Sequence, residues 1–148
     1  MSENESLSPS AVQASREVRA VISRLRRRIL KASEVEDLTL GQSSVLARLS
    51  DKGGVTASDL AATEGVRHQS MTATISALAS KGLVERQPDP DDGRRLLITL
   101  TAEGLRRVEE GRQVRTEWLA DRLQARCTEE ERRAVIATMA VLERLTRD

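Results

Sequence analysis

One change of rhythm restricts the fold of this chain more than any other feature. Up to Ser80 the apolar residues recur at spacings of three and four. Two short stretches, "LVERQ" (83–87) and "LLITL" (96–100), then read as strands, the second alternating with Leu96, Ile98 and Leu100 on one side. After Thr101 the helical spacing returns. A period near 3.6 does not sit as a strand, and a period of two does not sit as a helix. The chain must therefore place one hairpin inside an otherwise helical protein. The hairpin's loop, "PDPDDGRR" (88–95), carries three aspartates and ends in the pair Arg94 and Arg95.

The helical part divides at identifiable signals. From Ser10, Ala14, Val18, Ile22, Leu25 and Ile29 form an apolar stripe. The other face is basic: Arg16, Arg19, Arg24, Arg26, Arg27, Arg28 and Lys31 against Glu17. Three helix starts share the Thr-x-x-acid/amide pattern of a capping box: Thr39 with Gln42, Thr56 with Asp59 and Thr128 with Glu131. In such a box the hydroxyl takes an orphan N–H of the first turn and the second side chain reaches back. Of the three, Thr-x-x-Asp is the weakest. These signals predict helices near 39–51, 56–63 and 128–146. "DKGG" (51–54) and "TEGV" (63–66) break the chain between helices. A fourth helix runs from about Arg67 to Ser80 on an inner face of Met71, Ile75 and Leu78, ended by "KG" (81–82). Thr101 starts a long helix to about Arg126, with Leu105, Val108, Leu119 and Leu123 as inner positions. The last helix carries Val135, Ile136, Met139, Leu142 and Leu145.

The predicted fold is mainly α with a small β-hairpin: a winged helix-turn-helix flanked by helices. Its expected divisions are a disordered 1–9, a dimerisation helix over 10–34, a winged helix-turn-helix module over 35–100 and C-terminal dimerisation helices over 101–148. So small a module offers little surface for three long amphipathic flanking helices. A second copy would cover them, in an arrangement that is usually a twofold dimer.

Composition narrows the function. With 148 residues the chain is one ordinary domain, and its net charge of +1 implies no polyanion partner by itself. There is no Phe or Tyr and one Trp, so stacking platforms for single-stranded nucleic acid are missing. Cys127 stands alone, which excludes an intrachain disulfide and fits a reducing compartment. "MSENESLSPS" has no apolar segment of a signal peptide, and no apolar run approaches the roughly 20 residues of a membrane span. The expectation is a soluble cytoplasmic protein that needs no cofactor.

"TEGV" between two helices fits a helix-turn-helix, whose second helix enters the DNA major groove by its first turns. Here those turns read "RHQSMTAT" (67–74), with Arg67, His68, Gln69, Ser70, Thr72 and Ala73 facing outward. Gln reads adenine bidentately; Ser, Thr, Arg and His serve bases or phosphates. The bland alternative is the solvated face of an ordinary helix. Beside such a helix, a wing with Arg94 and Arg95 at its tip suits the negative minor groove. Asp92, two residues before Arg94, could hold the guanidinium in one pose. The bland alternative there is an exposed loop ion pair worth little.

At this point "DDGRRLLITLTAEG" resembles the wing of MarR-family transcriptional regulators, with Asp92, Arg94, Leu100, Thr101 and Gly104 on the motif Asp-x-Arg, strand, Leu-Thr-x-x-Gly. "LTLGQSSVLARL", "ASDLA" and "MTATISALASKGLVER" resemble the family's second, third and recognition helices. The resemblance covers about 35–105 well and the flanks by pattern. It implies a homodimer on a pseudo-palindromic double-stranded operator, usually repressing its own or a neighbouring operon, with a small anionic or phenolic effector, or an oxidant, releasing it. By the same carry-over Arg94 enters the minor groove, Asp92 orients it, and Arg86 and Thr56 meet the DNA backbone, Arg86 alternatively pairing with a wing acid. Two departures stand out. Ala73 replaces a residue that is often basic, and Gly93 loosens the wing tip. Charge over 60–100 balances, so the basic face of the first helix is a further candidate for DNA contact. The family's effector pocket lies between the dimer helices and the module, yet only Trp118 could supply an aromatic wall, and a lone helical Trp is more often core. Arg16 or Arg19 could pair with a ligand carboxylate, though exposed solvation is their default. Cys127 precedes a helix N-terminus, which can lower a thiol pKa; the family's redox cysteines usually lie near the chain's start, so Cys127 reads as inert.

Three rivals remain. An enzyme would need His68, the only histidine, in a triad, and no Gly-rich phosphate loop is present. "DPDDG" lacks calcium-loop spacing and a Glu at the twelfth position, so no metal site is expected. A winged-helix protein-interaction module without specific DNA binding is the stronger alternative. The basic first helix on an anionic membrane is the third, disfavoured because its apolar face suits packing.

Overall fold

The computed structural model describes residues 6–33 and 37–147. Six helices and one hairpin follow in the order α1 (Pro9–Ala32), α2 (Leu40–Lys52), α3 (Ala57–Glu64), α4 (His68–Ser80), β1 (Val84–Pro88), β2 (Leu96–Leu100), α5 (Ala102–Arg126) and α6 (Glu129–Glu143). A 3-10 turn, Arg144–Thr146, ends α6. Helix α1 starts one residue before the expected Ser10, because Ser8 caps it and Pro9 occupies the first turn, where its missing N–H costs nothing. Pro9, expected within a disordered 1–9, is thus helical; residues 1–5 lie outside the described residues, as does the expected boundary at 34/35.

All three capping boxes form with both arms in place. Their return bonds rank as side-chain length dictates. The N-cap N–H donates to Glu131 at 2.8 Å and to Gln42 at 3.0 Å, but to the shorter Asp59 at 3.4 Å. Gly65 ends α3 in the left-handed region at φ 66°, and turns the chain into α4 within two residues.

The core is confined to the middle of the chain. Val45, Leu46 and Leu49 of α2, Leu60 and Ala61 of α3, and Met71, Ile75 and Leu78 of α4 close on Leu83, Val84 and Ile98 of the hairpin; of the flanking helices only α5 adds a buried side chain, Val108. The strands pair antiparallel from Val84↔Leu100 to Pro88↔Leu96. Val55, just before α3, bonds Ile98 in both directions and extends the sheet by one bridge. Of the three β2 residues expected inward, Ile98 is buried and Leu100 half-buried. Leu96 is 52% exposed, since it pairs with Pro88 at the loop end of the hairpin, past the edge of the core.

Helix α5 corrects a second expectation. Leu105 is 48% exposed. Its neighbour Gly104 takes the inner position because the helix start is pressed against the link between α4 and β1. The Thr101 N–H donates to Leu83 O at 3.1 Å, and its hydroxyl donates to Gly82 O at 2.6 Å. A Cβ on Gly104 would lie 2.0 Å from Leu83 O. Once Gly104 faces inward, Val108 follows one turn later and Leu105 is rotated away. Trp118 is half-buried rather than core, with the Arg122 guanidinium 5.3 Å from its ring centroid.

Ion pairs reinforce the attachment of α5 to α2. Arg107 donates to Asp37 at 2.7 and 3.2 Å, and Arg112 to Asp51 at 3.0 Å. The Arg107 bond lowers the Asp37 carboxyl below its ordinary pKa. That contribution is present above the ordinary carboxyl range and is lost as pH falls through the depressed value.

Gly104→Ala is expected to destabilise the chain by about 1–3 kcal/mol, because the backbone at Leu83 has to move. Urea unfolding monitored by circular dichroism reads this directly. An unchanged midpoint would mean that α5 does not sit this close to the wing root.

Candidate nucleic-acid interface

Helix α4 divides cleanly into two faces. Met71, Ile75 and Leu78 are buried, which leaves Gln69, Thr72, Ala73 and Ser76 on the opposite exposed stripe, with His68 and Ser70 beside them. Arg67 is the N-cap residue and makes no capping bond, so its side chain projects from the start of the helix. All six residues expected to face the major groove are exposed. The spacing follows from packing: three inner residues at intervals of four and three fix the rotation, and the polar residues take what remains.

The wing is folded by its acids through the backbone. The Asp89 carboxylate accepts from the Asp91 N–H at 2.9 Å, and the Asp92 carboxylate accepts from the Arg94 N–H at 3.1 Å. Backbone bonds Asp89 N–H to Arg95 O (2.9 Å) and Arg95 N–H to Asp92 O (3.0 Å) close the loop. Asp92 thus orients Arg94 by its main chain, not by clamping the guanidinium as expected. An Asp two residues ahead reaches the nearer N–H first, in an Asx turn. Arg95, not Arg94, has an acidic neighbour, Asp89, at 4.0 Å. Among the described residues neither Arg94 nor Arg67 enters an ion pair, so both cations remain available to an anion.

Two side chains tie the wing to the helices. Arg86 donates to the Ser76 hydroxyl on α4 at 3.1 Å rather than pairing with a wing acid. Strand β1 places it two residues past Val84, within reach of the helix. Near the wing's other strand, Arg94, Arg95 and Leu96 border a depression with Thr56, Ala57 and Asp59 at the start of α3. Thr56 is half-buried there as the N-cap. Asp59 is held below the ordinary carboxylate pKa by Thr56, side chain first and backbone N–H second, with Arg95 adding a weaker pull.

A cluster that sequence reasoning missed lies behind the turn. Glu64, the last residue of α3, accepts from Ser44 at 2.9 and 3.0 Å and from Arg48 Nε. It anchors the turn residues 65–67 to α2. Pairs 16 and 20 residues apart leave no mark in local periodicity, so nothing in the pattern signals them. Asp89 was missed for a different reason: its Asp-Pro-Asp context reads as a turn, without saying which acid closes it.

A cleft of about 390 Å³ opens between α1, α2 and α5, bordered by Arg26, Leu30, Ser44, Arg107 and Arg115. Neither Trp118 nor Arg16 and Arg19 border it. Cys127 is half-buried between α5 and α6, where its carbonyl accepts from Arg132 at 2.6 Å. No group of acids, His or Cys among the described residues is arranged to hold a metal, and no helix there is long and apolar enough to cross a membrane.

The MarR-family profile matches residues 36–95, from the start of the module to the wing arginines. A transcriptional regulator of the helix-turn-helix type from Mycobacterium tuberculosis is 39% identical over 102 residues, 69% of this chain and 71% of the relative. The chain belongs to the MarR family. A solved structure of a regulator protein from Pseudomonas aeruginosa is 30% identical and superposes with a TM-score of 0.80, covering 96% of this chain and 99% of that one. The Cys-to-Ser variant of MarR from Escherichia coli is 26% identical with a TM-score of 0.74 over 97% and 100% of the two chains. This MarR-family chain is accordingly a DNA-binding transcriptional regulator of winged-helix fold, among relatives that are regulators and not enzymes.

Asp92→Ala is expected to speed amide hydrogen exchange at Arg94 and Arg95 while changing global stability by no more than about 0.5 kcal/mol. Unchanged protection at Arg94 would show that the wing is ordered without this carboxylate.

Proposed function

We propose that this regulator is a homodimer that reads a pseudo-palindromic double-stranded operator and represses its own or a neighbouring operon. The observation that carries this reading is the pairing of α4's exposed polar face with an arginine-tipped wing, joined through Arg86 and Ser76. Residues 67–70, 72 and 73 then meet the major groove. Arg94 and Arg95 enter the adjacent minor groove, and Arg86 and Thr56 meet phosphates. Asp92 serves by shaping the loop. Phosphate contacts supply most of the affinity and make it salt-dependent.

The dimer reading rests on unpartnered apolar faces. Neither α1 nor α6 buries a single residue within the chain. Ile22 is 52% exposed, Ile136 70% and Met139 51%. Apolar area on this scale is normally covered by a partner, and a second copy covers both faces at once. It also sets two α4 helices on one duplex, which a palindromic operator requires. Such a protein works in the cytoplasm, with no part in a membrane.

The cleft between α1, α2 and α5 fits a small anionic effector better than a phenolic one. Its border holds three arginines and no aromatic ring. No aromatic face is present to stack on a phenol.

Fluorescence anisotropy with duplex from the chain's own upstream region, at two salt concentrations, tests the DNA reading. Binding is expected to weaken steeply with salt, and Arg94→Ala to cost about 1–3 kcal/mol. Salt-insensitive binding, or none, would favour the protein-interaction alternative. For the dimer, Ile136→Glu is expected to shift sedimentation from two copies to one. A monomeric wild type would overturn that part of the proposal.

A further inference from the structure

The central stripe of α4 carries an unusual chemistry for a DNA reader. Its four residues, Gln69, Thr72, Ala73 and Ser76, are all uncharged. The hydroxyls of two of them are already bonded within the chain. The Thr72 hydroxyl donates to His68 O at 3.0 Å, one turn back in the same helix. Its proton is therefore engaged, and the γ-methyl is the apolar branch of this exposed side chain. The Ser76 hydroxyl accepts from Arg86 at 3.1 Å, which faces it toward β1. Ala73 offers only its β-methyl. The Gln69 amide is followed on the stripe by two adjacent methyl-bearing residues, Thr72 and Ala73.

Each of these matches a feature of an A·T pair in the major groove. A Gln amide reads adenine N6 and N7, and an Ala or Thr methyl packs on the thymine C5-methyl. No arginine or lysine stands on the stripe to read guanine; Arg67 lies before the first turn and His68 at its edge. The wing points the same way, since Arg94 suits the narrow minor groove of A·T runs. We infer that Thr72, with Ala73, is a specificity-determining residue that selects thymine through its 5-methyl group, so that the half-site core under α4 is A·T and is recognised by apolar contact. The inference rests on the major-groove placement of α4 proposed above.

The test separates the two. The purified full chain is first used to select from a random 30-base-pair duplex pool. The selected half-site is then remade with deoxyuridine in place of each thymidine, which deletes only the methyl. At one or two positions affinity is expected to fall about fourfold per methyl. Thr72→Ser keeps the hydroxyl and deletes the protein's methyl. It should lose a similar factor on the thymidine site and show no further loss on the deoxyuridine site, a non-additive cycle. Thr72→Val, which restores the methyl without the hydroxyl, should regain binding, with circular dichroism verifying that each variant is folded. Selection of a specific site in which no deoxyuridine weakens binding, or additive losses in the cycle, would overturn the methyl readout and leave the DNA-reading function standing. Failure to select any sequence would overturn both.

Discussion

The contact on which the rest of the structure depends is the approach of the α5 start to the link between α4 and β1. Thr101 bonds the carbonyls of Gly82 and Leu83, and Gly104 leaves room for the Leu83 carbonyl where any Cβ would collide. The joint holds three things in register. Helix α4 ends there, β1 begins there, and the long α5 leaves from it toward α1 and α2. Helix α4, the wing and α5 are therefore tied together at this point. A rigid joint gives a dimer a fixed spacing between its two α4 helices, and spacing is what converts twofold symmetry into operator selection.

Above that joint the chain separates its tasks by surface chemistry. The aliphatic core is confined to the module, and its inner residues fix the rotation of α4 so that uncharged side chains face outward. Charge is kept to the edges: Arg67 before the helix, Arg86 on β1, Arg94 and Arg95 on the wing. Edge charges suit phosphate and minor-groove contact, which is tolerant of sequence, while the neutral stripe suits discrimination. The net charge of +1 is consistent with this division, since the proposed attraction to DNA is local to the rim. Three further arginines border the cleft between α1, α2 and α5. An anion bound there would sit against Ser44, whose hydroxyl also holds Glu64 at the end of α3.

Much of this was legible in the sequence, and the physical reason is locality. Caps, helix breaks and the switch of period are set by residues within four positions of one another, and all three capping boxes and the hairpin formed where the pattern placed them. Met71, Ile75 and Leu78 were readable as an inner face for the same reason. What failed was whatever depended on a partner element. Leu105 and Leu96 look like core by spacing, but the closeness of α5 to Leu83 and the reach of the core past Ile98 decide their fate. The role of Asp92 was misread because sequence spacing does not say whether a carboxylate meets a guanidinium or the nearer backbone N–H. The Ser44–Arg48–Glu64 tie, spanning 20 residues, left no pattern to read.

In the proposed dimer, two copies of this fold place paired α4 helices and wings symmetrically on one duplex. Hydroxyl-radical footprinting of the full chain on its selected duplex tests this most directly, because it reports minor-groove and backbone cover at single-base resolution. The account predicts two symmetry-related sets of protections, with α4 centres about one helical turn, or a multiple of it, apart and wing protections in the flanking minor grooves. A single asymmetric patch, or even protection along the whole duplex, would contradict it.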